Sequence, residues 1–213
     1  MPPTTSTKPP SKPAKSAPKG DYIETDTGNK VARRAQLHGT QHIILGGRAV
    51  IQADVCIRGD LVRPSSSIAK DASSSKPSSH ASAPGVAVAI GRYSFISSGT
   101  ILRPPLKMSM GRAGYYPLKI GEHTFIGANC VIEAAQIGDH VHVGRGAVVG
   151  KFAILKDGVK VLEGAHVVGG MVVASGFVVG GRPARVVGEV GEGWGIAEGG
   201  EGGDLREMWR ATG

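Results

Sequence analysis

An aliphatic residue recurs every six positions through the second half of the chain. The series is Ile120, Ile126, Ile132, Ile137, Val143, Val149, Leu155, Val161, Val167, Val173 and Val179, and only the IEAAQ unit that starts at Ile132 is one residue short. A small or apolar residue lies two positions before each later member, as at Cys130, Ala135 and Ala147. Helices need apolar spacing near 3.6 and half-buried strands need spacing of 2, so a sustained period of six predicts a parallel β-helix.

In such a fold each unit is a short strand followed by a corner, and its first aliphatic residue points into the core. Three units close one triangular coil, and successive coils stack about 4.8 Å apart through backbone hydrogen bonds. A single coil cannot bury its own apolar face, so the neighbouring coils supply the stability. We therefore expect an all-β triangular prism. It resembles the hexapeptide-repeat proteins, a resemblance that implies left-handed coils.

The same phase extends towards the N-terminus. Strands are predicted at Tyr22–Ile23 and Val31, around a turn at residues 27–29. The later inward residues are Leu45, Ile51 and Ile57 with partners Ile43, Ala49 and Val55, followed by Val88, Ile90, Ile96 and Leu102. The prism is predicted to begin by about His38, inside a β-helix domain over residues 21–187.

Two segments interrupt the period. Residues 64–85 are rich in Ser, Ala and Pro and are predicted to be a flexible insertion that leaves one corner. Residues 103–117 are predicted to be a second loop that leaves the next corner. Loops on rigid scaffolds often carry function, so this one is the candidate partner-binding surface. Its candidate residues are Arg103, Pro104, Pro105, Met108, Met110, Tyr115 and Tyr116. The alternative is that its aromatic side chains only fold back onto the prism.

The two ends of the chain differ in charge. Residues 1–20 carry four Lys and no acidic residue, and are predicted to be a disordered basic tail. Residues 188–213 form a Gly- and Glu-rich tail that is predicted to end in a capping helix over residues 204–211. Asp204 can cap its N-terminus, and Leu205, Met208 and Trp209 would pack against the prism.

Several function classes are disfavoured. The chain has no apolar run near the roughly 20 residues that span a bilayer and no signal-peptide pattern. With only two Cys it is not a disulfide scaffold, and we expect a reducing compartment. The net charge of +8 alone would permit nucleic-acid binding. The flat faces of a prism offer no helix that could read a groove and no platform on which bases could stack, so we expect no nucleic-acid binding. No cofactor is expected either.

Local resemblances indicate two possible enzymatic functions. The segments CIRGDL and IGANCVIEAAQIG resemble γ-class carbonic anhydrases, and that resemblance implies three His zinc ligands where this chain has Arg103, Ala128 and Glu133. Such a set cannot complete a zinc site. The run GGRPARVVG resembles an element that closes hexapeptide acyltransferases near their acyl-CoA site, so an acyltransferase is the alternative function. His123 and His140 occupy the same place in successive coils and are predicted to stack on an outer edge.

The strongest resemblance is to the dynactin subunit 5 family. It rests on YIET…GNKV, on the RPP loop and on NCVIEAAQIGDHVHVG, and covers most of residues 21–160. The chain departs from it in residues 1–20, in 64–85 and after about Val167. The resemblance implies a non-enzymatic subunit of the dynactin pointed-end complex in the cytoplasm and cytoskeleton. Its implied partners are a sister β-helix subunit, the other pointed-end subunits, the end of the actin-related filament and dynein cargo adaptors on microtubules. It also implies a hetero-oligomer and not a homotrimer.

Overall fold

The computed structural model describes residues 21–62, 85–109, 112–191 and 204–212, and over these the chain is a left-handed parallel β-helix. The six-residue period is confirmed, because every aliphatic residue of the series from Ile120 to Val179 is 4% exposed or less. In the described residues, the structure contains no helix with both the length and the apolar character needed to cross a bilayer.

The strands are short, and within the prism each repeat unit contributes one of them. In chain order they are β1 (Tyr22–Glu24), β2 (Lys30–Ala32), β3 (Gln36–His38), β4 (Ile43–Leu45), β5 (Val50–Ile51), β6 (Cys56–Arg58), β7 (Val88–Ile90), β8 (Phe95–Ile96), β9 (Ile101–Leu102), β10 (Leu106–Ser109), β11 (Arg112–Tyr115), β12 (Leu118–Ile120), β13 (Phe125–Ile126), β14 (Val131–Ile132), β15 (Gln136–Ile137), β16 (His142–Val143), β17 (Val148–Val149), β18 (Ile154–Leu155), β19 (Lys160–Val161), β20 (His166–Val167), β21 (Val172–Val173), β22 (Phe177–Gly180) and β23 (Arg185–Glu189). One helix, α1 (Leu205–Ala211), and a 3-10 turn, Thr40–His42, complete the description.

Three sheets form the faces of the prism. Face A has the order β1-β2-β5-β8-β13-β16-β19-β22-β23, face B is β3-β6-β9-β14-β17-β20, and face C is β4-β7-β12-β15-β18-β21. Neighbouring strands within the prism are parallel and in register, so that Ile126 lies between Ile96 and Val143. Stacking like residues in this way builds one continuous aliphatic core along the axis.

The prism has begun before His38, in agreement with the prediction. Strand β2 already pairs in parallel with β5, and β3 pairs with β6, so the first coil starts at Lys30. The predicted hairpin before it is confirmed, because β1 pairs antiparallel with β2. The Asn29 side chain ties this turn to the next coil by accepting a 2.9 Å hydrogen bond from the Ala49 N–H. Leu45 and Ile43 are only partly buried, since they lie in the terminal coil.

All the irregularities of the repeat lie on one edge, where face B meets face C. The 3-10 turn follows β3, the segment 63–84 outside the described residues follows β6, and the segment 103–117 follows β9. The short unit follows β14 on the same edge. The second insertion therefore leaves the same corner one coil later, and the prediction that it leaves the next corner is wrong.

The short unit also shifts one buried position. Ala134 is fully buried, whereas Ala135 is only half-buried, so Ala134 is the inward small residue of this unit and Ala135 is not. The reason is geometric. With one residue fewer, the chain crosses the corner directly after Ile132, and Ile137 still reaches the core at 1% exposure.

The C-terminal helix and the strand that precedes it in sequence lie at opposite ends of the prism. Strands β22 and β23 form an antiparallel hairpin at the last coil, while α1 docks on the first coil. Asp204 is its N-cap and accepts a 2.9 Å hydrogen bond from the Arg206 N–H. The predicted N-terminal tail, residues 1–20, and residues 192–203 lie outside the described residues.

Candidate interaction surfaces

The predicted loop over residues 103–117 contains a β-hairpin. Strands β10 and β11 pair antiparallel, with Leu106 opposite Tyr115. Pro104 and Pro105 are buried at its base, and since proline has no backbone N–H, neither residue leaves an unsatisfied donor there. The proposed contact residue Met110 lies outside the described residues.

The hairpin presents an apolar groove against the edge of the prism. Its walls are Leu106, Lys107, Met108, Tyr116 and Phe152. Tyr116 does fold back, because its ring meets that of Phe152 edge-on at a centroid distance of 5.4 Å. Met108 does not, and is 63% exposed. The hairpin is thus anchored by one aromatic residue and offers a thioether and an ammonium group to solvent.

The three positions that carry zinc ligands in carbonic anhydrases hold no metal-binding set here. Arg103 and Glu133 face each other on adjacent strands and form an ion pair, and Ala128 has no ligating group. In the part of the chain that the structure describes, no group of three or more His, Cys, Asp or Glu is placed to hold a metal ion.

The predicted stacking of His123 on His140 is confirmed, with ring centroids 5.0 Å apart and an interplanar angle of 4°. The column continues to Tyr93, whose ring lies 5.1 Å from that of His123. Burial lowers the pKa of His123, and the charges of His140 and Arg206 lower it further. Parallel rings do not converge their nitrogens on one point, so this column stiffens a corner and does not form a chelate.

A second aromatic column was missed by sequence reasoning. Phe95, Phe125 and His142 stack on the outside of face A, with centroid distances of 5.7 and 5.0 Å. Burial lowers the pKa of His142, and nearby Lys160 lowers it further. The six-residue period contains the signal for this column, since all three residues directly precede inward ones and therefore point outward in successive coils.

Helix α1 is held on the first coil by polar contacts over a long sequence separation. The Trp209 Nε1–H donates to the Gly28 carbonyl at 2.7 Å. The Lys30 ammonium donates to the Trp209 carbonyl at 2.8 Å and to the Thr212 carbonyl. The same ammonium lies 4.5 Å from the centroid of the Trp209 ring. Lys30 is only 9% exposed, so α1 supplies the acceptors that a buried ammonium requires.

The outward residues distinguish the three faces. On face A, the outward side chains of the first three coils are already shielded from solvent. They are Lys30, Val50 and Phe95, which are 9%, 1% and 4% exposed. On face C the central outward residues are Lys119 and Gln136, both exposed.

On face B four successive strands present apolar side chains. We call Cys56, Ile101, Val131 and Val148 the face B stripe.

Comparisons with known proteins agree with this architecture. A family model described as Dynactin subunit 5 matches residues 81–195. Dynactin subunit 5 of Dictyostelium discoideum is 38% identical over 120 residues, which are 56% of this chain and 48% of that protein. The chain thus spans about half the length of this curated relative.

Two solved structures share the fold. A hexapeptide transferase family protein from Anaplasma phagocytophilum superposes with a TM-score of 0.53 at 19% identity, covering 86% of this chain and 88% of that one. The acetyltransferase domain of PglB from Neisseria gonorrhoeae gives a TM-score of 0.51 at 13% identity, covering 75% and 57%. At these identities the likeness shows the fold alone.

Proposed function

Because this chain belongs to the dynactin subunit 5 family, we propose that it is a non-enzymatic structural subunit of dynactin. The observation that carries the proposal is the family match over residues 81–195, which spans the hairpin and most of the regular prism. The finer role we propose is that of a pointed-end adaptor in the cytoplasm and cytoskeleton. There it would pair with a sister β-helix subunit near the end of the actin-related filament and help dynein engage its cargo adaptors on microtubules.

The chemistry of the outer surface supports a docking role over catalysis. The Arg103–Glu133 ion pair occupies two of the positions that hold zinc ligands in γ-class carbonic anhydrases, and a guanidinium cannot serve as a zinc ligand. His123 and His140 are stacked face to face, so the two rings do not point towards one shared substrate position.

The run GGRPARVVG, which suggested an acyltransferase, has a structural role in this chain. The Arg182 Nε–H donates to the Gly164 carbonyl at 2.6 Å, and Ala184 is 1% exposed. The Ala184 N–H also donates to the His166 carbonyl at 2.8 Å. These contacts close the last coil between faces A and B, which is sufficient reason for the sequence of this turn.

We further propose that the β10–β11 hairpin is a partner-binding element. Its groove combines the exposed thioether of Met108 with the Lys107 ammonium, while Tyr116 fixes its position through Phe152. A methionine side chain adapts its shape to an apolar partner at little cost, because it has three flexible bonds. A rigid base that carries an adaptable tip is what a docking loop requires.

The experiment that tests the subunit role is purification of the tagged chain from native extract, followed by identification of its companions. We expect actin-related and second β-helix subunits to co-purify in a hetero-oligomer. Recovery of a self-associated trimer that binds acyl-CoA and transfers the acyl group would instead establish the acyltransferase alternative.

The hairpin is tested separately with Met108→Ser. This residue is 63% exposed, so the fold should be unaffected and only partner capture should weaken. Val172→Ser is the matched control, since Val172 is 60% exposed on face C, away from the hairpin. Equal capture by both variants and the unmodified chain would remove the hairpin from the binding surface.

A further inference from the structure

The first turn of α1 lies against the aromatic column at the corner between faces C and A. The central carbon of the Arg206 guanidinium is 5.3 Å from the centroid of the Tyr93 ring. Tyr93 stacks on His123 at a centroid distance of 5.1 Å, and His123 stacks on His140 at 5.0 Å. One charged group of the helix and two imidazoles therefore belong to a single stack that crosses from α1 to three successive coils.

Two guanidinium groups share the Tyr93 ring. Arg48 donates a hydrogen bond to the Tyr93 hydroxyl, and its guanidinium carbon is 5.5 Å from the centroid of that ring. Within the described residues, neither Arg48 nor Arg206 forms an ion pair with a carboxylate. Guanidinium groups stay charged at every physiological pH. The end of the stack that α1 contacts is therefore permanently cationic, and it lies next to the titratable ring of His123.

The charged groups around His123 come from its own corner, from the next coil and from α1. Burial has the largest effect and lowers the pKa of His123, and His140 and then Arg206 lower it further. Glu122 in the same corner and Asp204 at the helix N-cap raise it by smaller amounts. Of the two charges that α1 contributes, Arg206 has the larger effect. The docked helix therefore disfavours the charged form of the His123 ring.

We propose that protonation of His123 controls the docking of α1, so that the helix is held on the prism at neutral pH and docks more weakly at mildly acidic pH. The two equilibria are linked, because a group that binds a proton less readily in the docked state opposes docking once it is protonated. Docking is fully stable above the usual pKa of histidine. It weakens as the pH falls from that value to the lowered pKa of His123 in the docked state.

The helix is suited to such control because its docking is its main source of order. It has seven residues and no independent stability in water. Its release would separate the Trp209 indole from the Gly28 carbonyl and would leave the Lys30 ammonium to water. The inference concerns the chain's own helix and does not depend on the proposed role in dynactin.

The first test compares the protection factors of the Met208 and Thr212 amides at about pH 8 and about pH 5, on either side of the usual histidine pKa. We expect them to fall about fivefold or more in the unmodified chain. His123→Asn should abolish the fall, and asparagine tolerates the φ of 50° at this position. His166→Asn is the matched control, because His166 lies exposed on face B in β20. It should keep the fall.

The second test leaves His123 in place and measures its pKa by NMR titration. Trp209→Ala, which is expected to release α1, should raise the pKa of His123, and Arg206→Gln should raise it in part. Linkage fixes the size, because each pKa unit gained on release must equal a tenfold loss of protection in the unmodified chain between the two pH values.

Three results would overturn the inference. The first is equal protection of the α1 amides at both pH values in the unmodified chain. The second is a fall in protection that persists in His123→Asn, which would assign the pH dependence to another group. The third is a pKa of His123 that is the same in the unmodified chain, in Trp209→Ala and in Arg206→Gln.

Discussion

Replacing Trp209 by Ala is expected to release the C-terminal helix from the prism while the coils remain folded. The substitution removes the 2.7 Å hydrogen bond to the Gly28 carbonyl, for which about 1 kcal/mol is typical. It removes the ring that the Lys30 ammonium approaches at 4.5 Å, worth about 1 kcal/mol for a partly desolvated cation. The half-buried indole loses about 1.5 kcal/mol of apolar contact as well.

Together these losses weaken docking by about 3.5 kcal/mol, which is a few hundredfold in the docking equilibrium. A helix of seven residues has no independent stability in water, so once undocked it should also unfold. The Lys30 ammonium would then exchange its two carbonyl acceptors for water.

Native-state hydrogen exchange measures this directly. The Met208 and Thr212 amides, which donate to the Asp204 and Met208 carbonyls, should exchange at least about a hundredfold faster in Trp209→Ala. The strands of the central coils, such as β13 and β16, should be unaffected. Trp209→Phe is the control, because it keeps a ring over Lys30 and loses only the indole donor. Its effect should be near tenfold. If exchange in α1 were the same in all three proteins, the docking contacts would not hold the helix and the reasoning would be refuted.

Three further outcomes follow from the structure. Val149→Asp should abolish folding, because it buries an unpaired carboxylate at a cost of several kcal/mol, whereas Val148→Asp one position earlier points outward and should fold; circular dichroism and melting distinguish them. His142→Phe should reduce the fall in melting temperature between pH 8 and pH 5.5. Burial lowers the pKa of His142 in the folded chain, so its neutral form stabilises the fold above the ordinary pKa and that stability is lost as the pH falls towards the depressed value. At pH 8, Cys130 should resist maleimide labelling, because burial raises the pKa of its thiol, while half-buried Cys56 should react; mass spectrometry of the labelled peptides would contradict this if both react at one rate.

The core of this fold was predictable because it is local in sequence. Each inward position is determined by counting six residues from the previous one, and Ile126, Val143 and Val161 stack without any long-range information. The same counting predicted that His123 would stack on His140. Counting failed at the short unit, because the missing residue could be lost from any of several positions. Only the packing shows that Ala134 points inward.

What could not be predicted depends on contacts between distant parts of the chain. The Trp209 indole meets the Gly28 carbonyl 181 residues away, and no periodicity relates the two. The Tyr93 ring stacks on His123, although the 103–117 insertion lies between them in sequence. The insertion interrupts the six-residue count, so the sequence does not show that β7 pairs with β12. The segment 103–117 was predicted only as a loop, because Pro, Gly and Met obscure the strand pattern of its hairpin. The binding roles of Arg103, Met108 and Tyr115 remain predictions.

The confinement of every irregularity to the edge between faces B and C has a physical reason. At the edge between faces C and A, Arg48, Tyr93, His123 and His140 adopt φ values of 52°, 54°, 50° and 55°. A non-glycine residue in this left-handed region costs about 1–2 kcal/mol, and here the stacked side chains offset that cost.

The stack requires the same corner in every coil, so an insertion there would break the column as well as the turn. The edge between faces B and C has no such column in its first three coils. The chain can therefore add a hairpin at that edge while faces A and B keep their register, so the proposed docking element leaves the coils of the prism undisturbed.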